Sequence, residues 1–142
     1  QRKLSVTYME TNFQKADNVP CALILQAEKA VEQVLAYKLK SIGCRVIISQ
    51  SVHQAAEMLK NGECVDVIII EMMMPGMNVL DFVDGCLETP RFQNIAIFFL
   101  TYYNITSALR KRLHHAQVFY FQKPFDPREL IDEIQKKVRN AD

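Results

Sequence analysis

The chain is short of several things that whole classes of function require. No apolar run reaches the ~18 residues of a membrane span, so no membrane contact is expected. Lys and Arg number 17 and Asp and Glu 16, a net charge of +1. That balance supplies no long-range field for nucleic acid or an anionic membrane. Glycine occurs four times in 142 residues, never as G-x-G-x-x-G or G-x-x-x-x-G-K, so no phosphate-cradling loop is present. Cys21, Cys44, Cys64 and Cys86 are scattered, with no C-x-x-C pair and no clustered His. A zinc site is therefore not expected, and four reduced, mostly buried thiols in a cytoplasmic protein are. No Ser-His-Asp, Cys-His or paired-carboxylate arrangement points to hydrolysis. Gln1-Arg2-Lys3 is followed by no apolar segment of signal-peptide length, and the missing Met points to an excised piece of a longer chain.

What is present fits one packed domain: 49% of residues are apolar and 23% charged. Residues 1–20 show no sustained period and read as a linker or tail, with a short ordered piece at Leu4–Tyr8. From Cys21 onward, short apolar runs alternate with segments of helical period. The predicted strands are Ala22–Leu25, Arg45–Ser49, Val65–Ile70, Ile95–Leu100 and Val118–Phe121. The first helix, Glu28–Ile42, carries Val31, Val34, Leu35, Leu39 and Ile42 as its stripe, with Gly43 as its stop. Ser51-Val52-His53-Gln54 is a capping box opening a second helix that Gly62 closes. Val79–Leu87 and Ile105–Ala116 form the third and fourth. Asp126-Pro127-Arg128-Glu129 starts the last, whose buried stripe is Leu130, Ile131, Ile134 and Val138.

Strands that are continuously apolar rather than alternating are covered on both faces. Five of them alternating with five helices predict a doubly wound, five-stranded parallel α/β sheet over residues 21–142, of flavodoxin-like type. In such sheets the functional crevice lies beyond the carboxyl ends of the strands. That rule singles out Gln26 and Ala27, Gln50, Glu71, Thr101 and Lys123.

Glu71 is the oddest of these, a carboxylate closing the most apolar strand in Asp66-Val67-Ile68-Ile69-Ile70-Glu71-Met72-Met73-Met74-Pro75-Gly76-Met77. Taken alone, a Glu at a strand end is a solvated terminus and Lys123 a surface lysine. Met72, Met73, Met74 and Met77 suit a soft metal such as copper, but core filler and exposed loop account for them better. Together, E-M-M-M-P-G-M, L-T-Y and Q-K-P-F-D-P, in this order and spacing, resemble the receiver domain of two-component response regulators over Cys21 to Val138. The resemblance implies a site where an acidic pair after the first strand and an Asp after the third hold Mg²⁺. The Asp takes a phosphoryl group from a histidine kinase, and a Thr and a Lys contact the phosphoryl oxygens. Thr101 and Lys123 match the Thr and Lys positions, and Tyr120 the aromatic position that reports the switch. Lys123-Pro124 matches a bond that is usually cis.

The departures are as informative. Gln26 and Ala27 replace the acidic pair, Glu71 replaces the acceptor Asp, and Tyr102 stands where a small residue follows the Thr and crowds the site. Mg²⁺ needs near-octahedral hard oxygen ligands, so its binding is expected to be lost or weak. Glu also moves the carboxylate one methylene outward, and ~1 Å of misplacement can cost about a hundredfold in an in-line transfer. The expectation is a pseudo-receiver with no catalytic residues. It would be a phosphorylation-independent interaction or regulatory module of a larger signalling protein. A phospho-accepting receiver with an atypical site is the alternative, and a small-molecule binder in the crevice a third class. Glu71 either reaches Lys123 and Thr101 to hold a switched-like state or is the remainder of a lost site. The expected partner is a protein or another domain of the same chain. In the family, the face of the fourth helix, fifth strand and fifth helix binds partners or forms dimers. Phe119, Tyr120 and Tyr102 are placed with that face. Arg110, Lys111 and Arg112 read as a solvated face of the fourth helix, not a nucleic-acid patch.

Overall fold

The structure is a computed structural model and describes residues 19–74, 76–102 and 106–140. The predicted linker and its Leu4–Tyr8 piece lie almost wholly outside these residues. Five strands, β1 (Cys21–Leu25), β2 (Arg45–Ile48), β3 (Val67–Glu71), β4 (Ala96–Thr101) and β5 (Val118–Gln122), form one parallel sheet in the order β2-β1-β3-β4-β5. Helices α1 (Lys29–Ser41), α2 (Val52–Lys60), α3 (Val79–Glu88), α4 (Ser107–Arg112) and α5 (Pro127–Asn140) follow the strands in turn, with a 3₁₀ turn at Pro90–Phe92. This is the doubly wound, flavodoxin-like fold that the alternation predicts.

Strand residues alternate between two apolar layers, which is why the runs carry no polar face. Leu23, Leu25, Ile68, Ile70, Ile97 and Phe99 pack under α2 and α3 through Ala55, Leu59, Val79 and Val83. Ile24, Ile69, Phe98 and Leu100 pack under α1 and α5 through Leu35, Leu39, Leu130 and Ile134. Because β1 has β2 on one side and β3 on the other, the chain reverses its direction of winding there. That opens a crevice at the carboxyl ends of β1 and β3.

The helix boundaries follow local chemistry. Gly43 and Gly62 both have positive φ, 93° and 96°. In each, the glycine N–H and the next N–H donate to carbonyls of the last helical turn, the paired bonds of a glycine stop. Ser51 Oγ accepts from Gln54 N at 3.0 Å. The return bond of the expected capping box is diverted: Gln54 Oε1 accepts from Gln50 N at 2.7 Å. Asp126 Oδ1 accepts from Arg128 N at 2.9 Å, capping α5.

Two expectations need correction. The fourth helix has six residues, not the span Ile105–Ala116. Thr106 caps it by accepting from Leu109 N, and after Leu113 the chain turns away. Gln117 Nε2 is drawn to Phe92 O at 2.9 Å and Ile95 O at 2.6 Å. In α1, Val34 belongs to the apolar stripe but is 43% exposed, whereas Glu32 is buried with Lys29 at 3.4 Å. The four thiols are free, with Cys21, Cys44 and Cys86 buried and Cys64 partly exposed. Burial pushes Cys21 up to about 12 and Cys86 up to about 11, leaving them inert as nucleophiles. Of the methionines in the β3–α3 turn, Met74 is buried and Met73 is exposed. Met72 and Met77 pack on the core, as filler would.

Candidate functional site

β3 and β4 end in the polar residues Glu71 and Thr101 at the crevice, and β1 and β5 deliver Gln26 and Lys123 just past their last residues. Gln26, Glu71, Thr101 and Lys123 are all buried. The backbone sets this convergence: Met72 N donates to Leu100 O at 2.9 Å, and Lys123 N to Thr101 O at 2.6 Å. The peptide bond between Lys123 and Pro124 is cis.

The Lys123 ammonium is the centre. It donates to Glu71 Oε1, to Glu28 Oε1 at 2.7 Å and to Gln26 Oε1 at 3.3 Å. Gln26 Oε1 also accepts from Ala27 N at 3.0 Å, which orients the amide. Tyr102 covers the group from outside. Its hydroxyl donates to both Glu28 oxygens, at 2.9 and 3.0 Å, and its ring centroid lies 4.7 Å from Lys123 Nζ, a cation–π distance.

The electrostatics follow from this packing. Burial alone pulls Lys123 down, but its bonds to Glu28 and Glu71 outweigh that and hold the ammonium above its usual range. The bond from Lys123, then that from Tyr102, keeps the Glu28 carboxyl below the usual carboxylate range. The bond to Glu28 raises the Tyr102 phenol.

The sequence-predicted residues are thus mostly brought together. Gln26, Glu71, Thr101 and Lys123 meet, while Ala27 sits exposed at the rim and offers no side-chain donor. Tyr102 does not lie with Phe119 and Tyr120 on β5. It lies beside α1, with Ala30, Val31, Val34, Pro124 and Phe125 lining a groove of about 310 Å³ next to it. Its hydroxyl finds Glu28 there, which draws it over the lysine. Phe119 and Tyr120 are neighbours on β5 and so point to opposite faces. Phe119 stacks on Phe98 at 5.0 Å under α5. Tyr120 stacks on Phe99 at 5.9 Å with the Arg110 guanidinium 5.4 Å from its centroid. The Tyr120 hydroxyl is buried with no partner among the described residues.

Glu28 is the site residue that sequence reasoning missed. It lies two residues beyond Gln26, at the N-cap position of α1, where an acidic residue reads as a helix-start signal. Its side chain makes no capping bond. That unused cap is the only local mark that the carboxylate is committed elsewhere.

Residues 22–135 match the model of the response regulator receiver domain. The chain belongs to the receiver domain family of two-component signalling. Among curated proteins, this receiver is 28% identical over 120 residues to the probable transcriptional regulator ycf27 of Porphyridium aerugineum. The match covers 84% of this chain and 48% of that protein. It is 26% identical over 119 residues to the transcriptional regulatory protein YvrH of Bacillus subtilis, covering 84% and 49%. The chain therefore spans about half the length of the curated relatives it matches. Among solved structures, the receiver domain of Francisella response regulator 1452 superposes with a TM-score of 0.73 at 21% identity, covering 87% of this chain and 99% of that one. The chemotaxis response regulator CheY4 of Vibrio cholerae gives 0.71 at 21% identity, covering 84% and 98%. At those identities the structures speak for the fold.

Proposed function

We propose that this receiver is a pseudo-receiver, a phosphorylation-independent interaction and regulatory module of a larger cytoplasmic signalling protein. The observation that carries the reading is the bonding of Lys123. In the family pattern that lysine contacts a phosphoryl group; here its ammonium is engaged by Glu71, Glu28 and Gln26. The Glu71 carboxylate points at Lys123 and is 4% exposed, so it is poorly presented to a phosphodonor. Ala27 removes one oxygen ligand of the family's Mg²⁺ site and Gln26 neutralises another, so Mg²⁺ binding is lost or weak. No phosphoryl transfer, and hence no enzymatic step, is expected.

The module then acts through its surfaces. Its partner is a protein or another domain of the same chain, with neither nucleic acid nor membrane in direct contact. The face of α4, β5 and α5 is the one proposed for partner binding or dimerisation. It carries Tyr120 between Phe99 and Arg110, and Arg112 tied to Asp84 at 2.6 Å. The test is phosphoryl labelling of the chain with acetyl phosphate and Mg²⁺, read by intact mass. No adduct is expected, and a stoichiometric adduct on Glu71 overturns the reading in favour of an atypical phospho-acceptor.

A further inference from the structure

Three oxygens from two separate segments converge on one nitrogen. Gln26 and Glu28 come from the β1–α1 turn and Glu71 from the end of β3; all three bond Lys123 Nζ. Two of these acceptors are anions, and the side chains of Lys123 and Glu71 are only 4% and 5% exposed, whereas that of Glu28 is 45% exposed. The Tyr102 ring closes the open side. Gln26 is buried, and its Nε2 has no partner among the described residues, so its amide is held by what its oxygen does. Such a cradle has the character of a hard-cation site, oxygen donors with negative charge and restricted solvent. The cation it holds is an ammonium on a four-carbon stem.

The donor set does not fit the family's Mg²⁺ while that ammonium is in place. Mg²⁺ requires near-octahedral oxygens at ~2.0–2.1 Å. Here the three convergent oxygens are spent on Lys123, and Gln26 Oε1 is shared with two backbone N–H groups. A dication among them would meet the ammonium at hydrogen-bonding distance.

We propose that Lys123 is the resident cation of this site, and that the cradle of Gln26, Glu28 and Glu71 admits a free divalent cation only when the lysine is taken away. This rests on the reading of the site as already filled, but is tested by ion binding rather than by phosphoryl labelling. An adduct on Glu71 would count against that reading. Ion binding that is the same with and without Lys123 would count against this one.

Withdrawing the ammonium leaves two carboxylates and an amide oxygen around one space. An irregular oxygen set suits Ca²⁺ better than Mg²⁺, because Ca²⁺ tolerates variable ligand number and geometry.

The experiment compares the chain with its Lys123→Met variant in Ca²⁺, Mn²⁺ and Mg²⁺ titrations. The readouts are thermal unfolding and Tb³⁺ luminescence excited through tyrosine. The native chain should not respond saturably, whereas Lys123→Met should bind at least ~tenfold more tightly, a readily resolved difference. Adding Glu28→Gln should abolish that gain. Equal binding by the two chains, or none by a folded Lys123→Met, overturns the proposal. A variant that folds only with Ca²⁺ supports it. The native chain supplies a second measurement that needs no variant: acetic anhydride labelling read lysine by lysine. Lys123 should label slowly at a rate Ca²⁺ does not change. Acceleration by Ca²⁺ would mean that the free ion displaces the ammonium, and would overturn the proposal.

Discussion

Two ion pairs of similar chemistry sit in opposite surroundings. Glu71–Lys123 joins side chains that are each about 95% buried. Arg112–Asp84 joins side chains 44% and 30% exposed at 2.6 Å. The short distance of the second pair says little about its value. Exposed pairs contribute ~0–1 kcal/mol because water and salt screen them. The buried pair has a net value near zero against an apolar replacement, yet it is costly to break, because either partner alone is an uncompensated buried charge. Burial, not proximity, decides what breaking each pair costs.

The comparison is broken hardest by removing Lys123. Lys123→Ala should lower unfolding stability by roughly 3–5 kcal/mol, the cost of stranding a buried partner, read by urea denaturation. Pairing Lys123→Met with Glu71→Leu should recover much of that loss. If the double variant is no better than the single one, the charges are not coupled.

Changing pH weakens the same site without mutation. The Glu28 carboxyl lies below its ordinary 4.5 in the folded protein. Its contribution is therefore fully present above about 4.5 and lost as pH falls through the lower folded value. Lys123 lies above its ordinary 10.5 and Tyr102 above 10.0. Their contributions are present below those values and lost as pH rises through the folded ones. Stability measured by denaturant titration should be level from about pH 5 to pH 9.5 as far as this site is concerned, and fall at both ends. A maximum confined to acid pH would contradict the network.

Tyr102→Phe removes the hydroxyl bonds to Glu28 but keeps the ring over Lys123. It should lower stability by far less than Lys123→Ala in the same urea titration, and the alkaline loss should shrink. The smallest effect belongs to the exposed pair: Arg112→Ala should leave the urea midpoint almost unchanged, and change it still less in high salt. A loss from Arg112→Ala as large as that from Lys123→Ala would overturn the burial argument.

Much of this was legible in residue order. Continuous apolar strands, the glycine stops at Gly43 and Gly62, Ser51 before α2 and Asp126-Pro127 before α5 all state local preferences that the fold obeys. Glu71, Thr101 and Lys123 were legible as site residues because a doubly wound sheet places strand ends together. Glu28 was not, because a carboxylate at a helix start has a sufficient local explanation. The true length of α4 was not either, since its thin stripe of Leu109 and Leu113 leaves the far end to be settled by Gln117 bonding to Phe92 and Ile95. Tyr102 was legible as bulky and crowding, but its direction toward α1 was not.

Sequence alone determined which residues are apolar, where helices must stop, and that a carboxylate, a hydroxyl and an ammonium end successive strands. Those are properties of single residues and their near neighbours. Tertiary structure decided that the ammonium lies between two carboxylates 52 and 95 residues away in the chain. It also decided that water is kept from one of them by the packed strand ends. An ion pair's partners and its dielectric surroundings are set by distant segments, and no local signal encodes either.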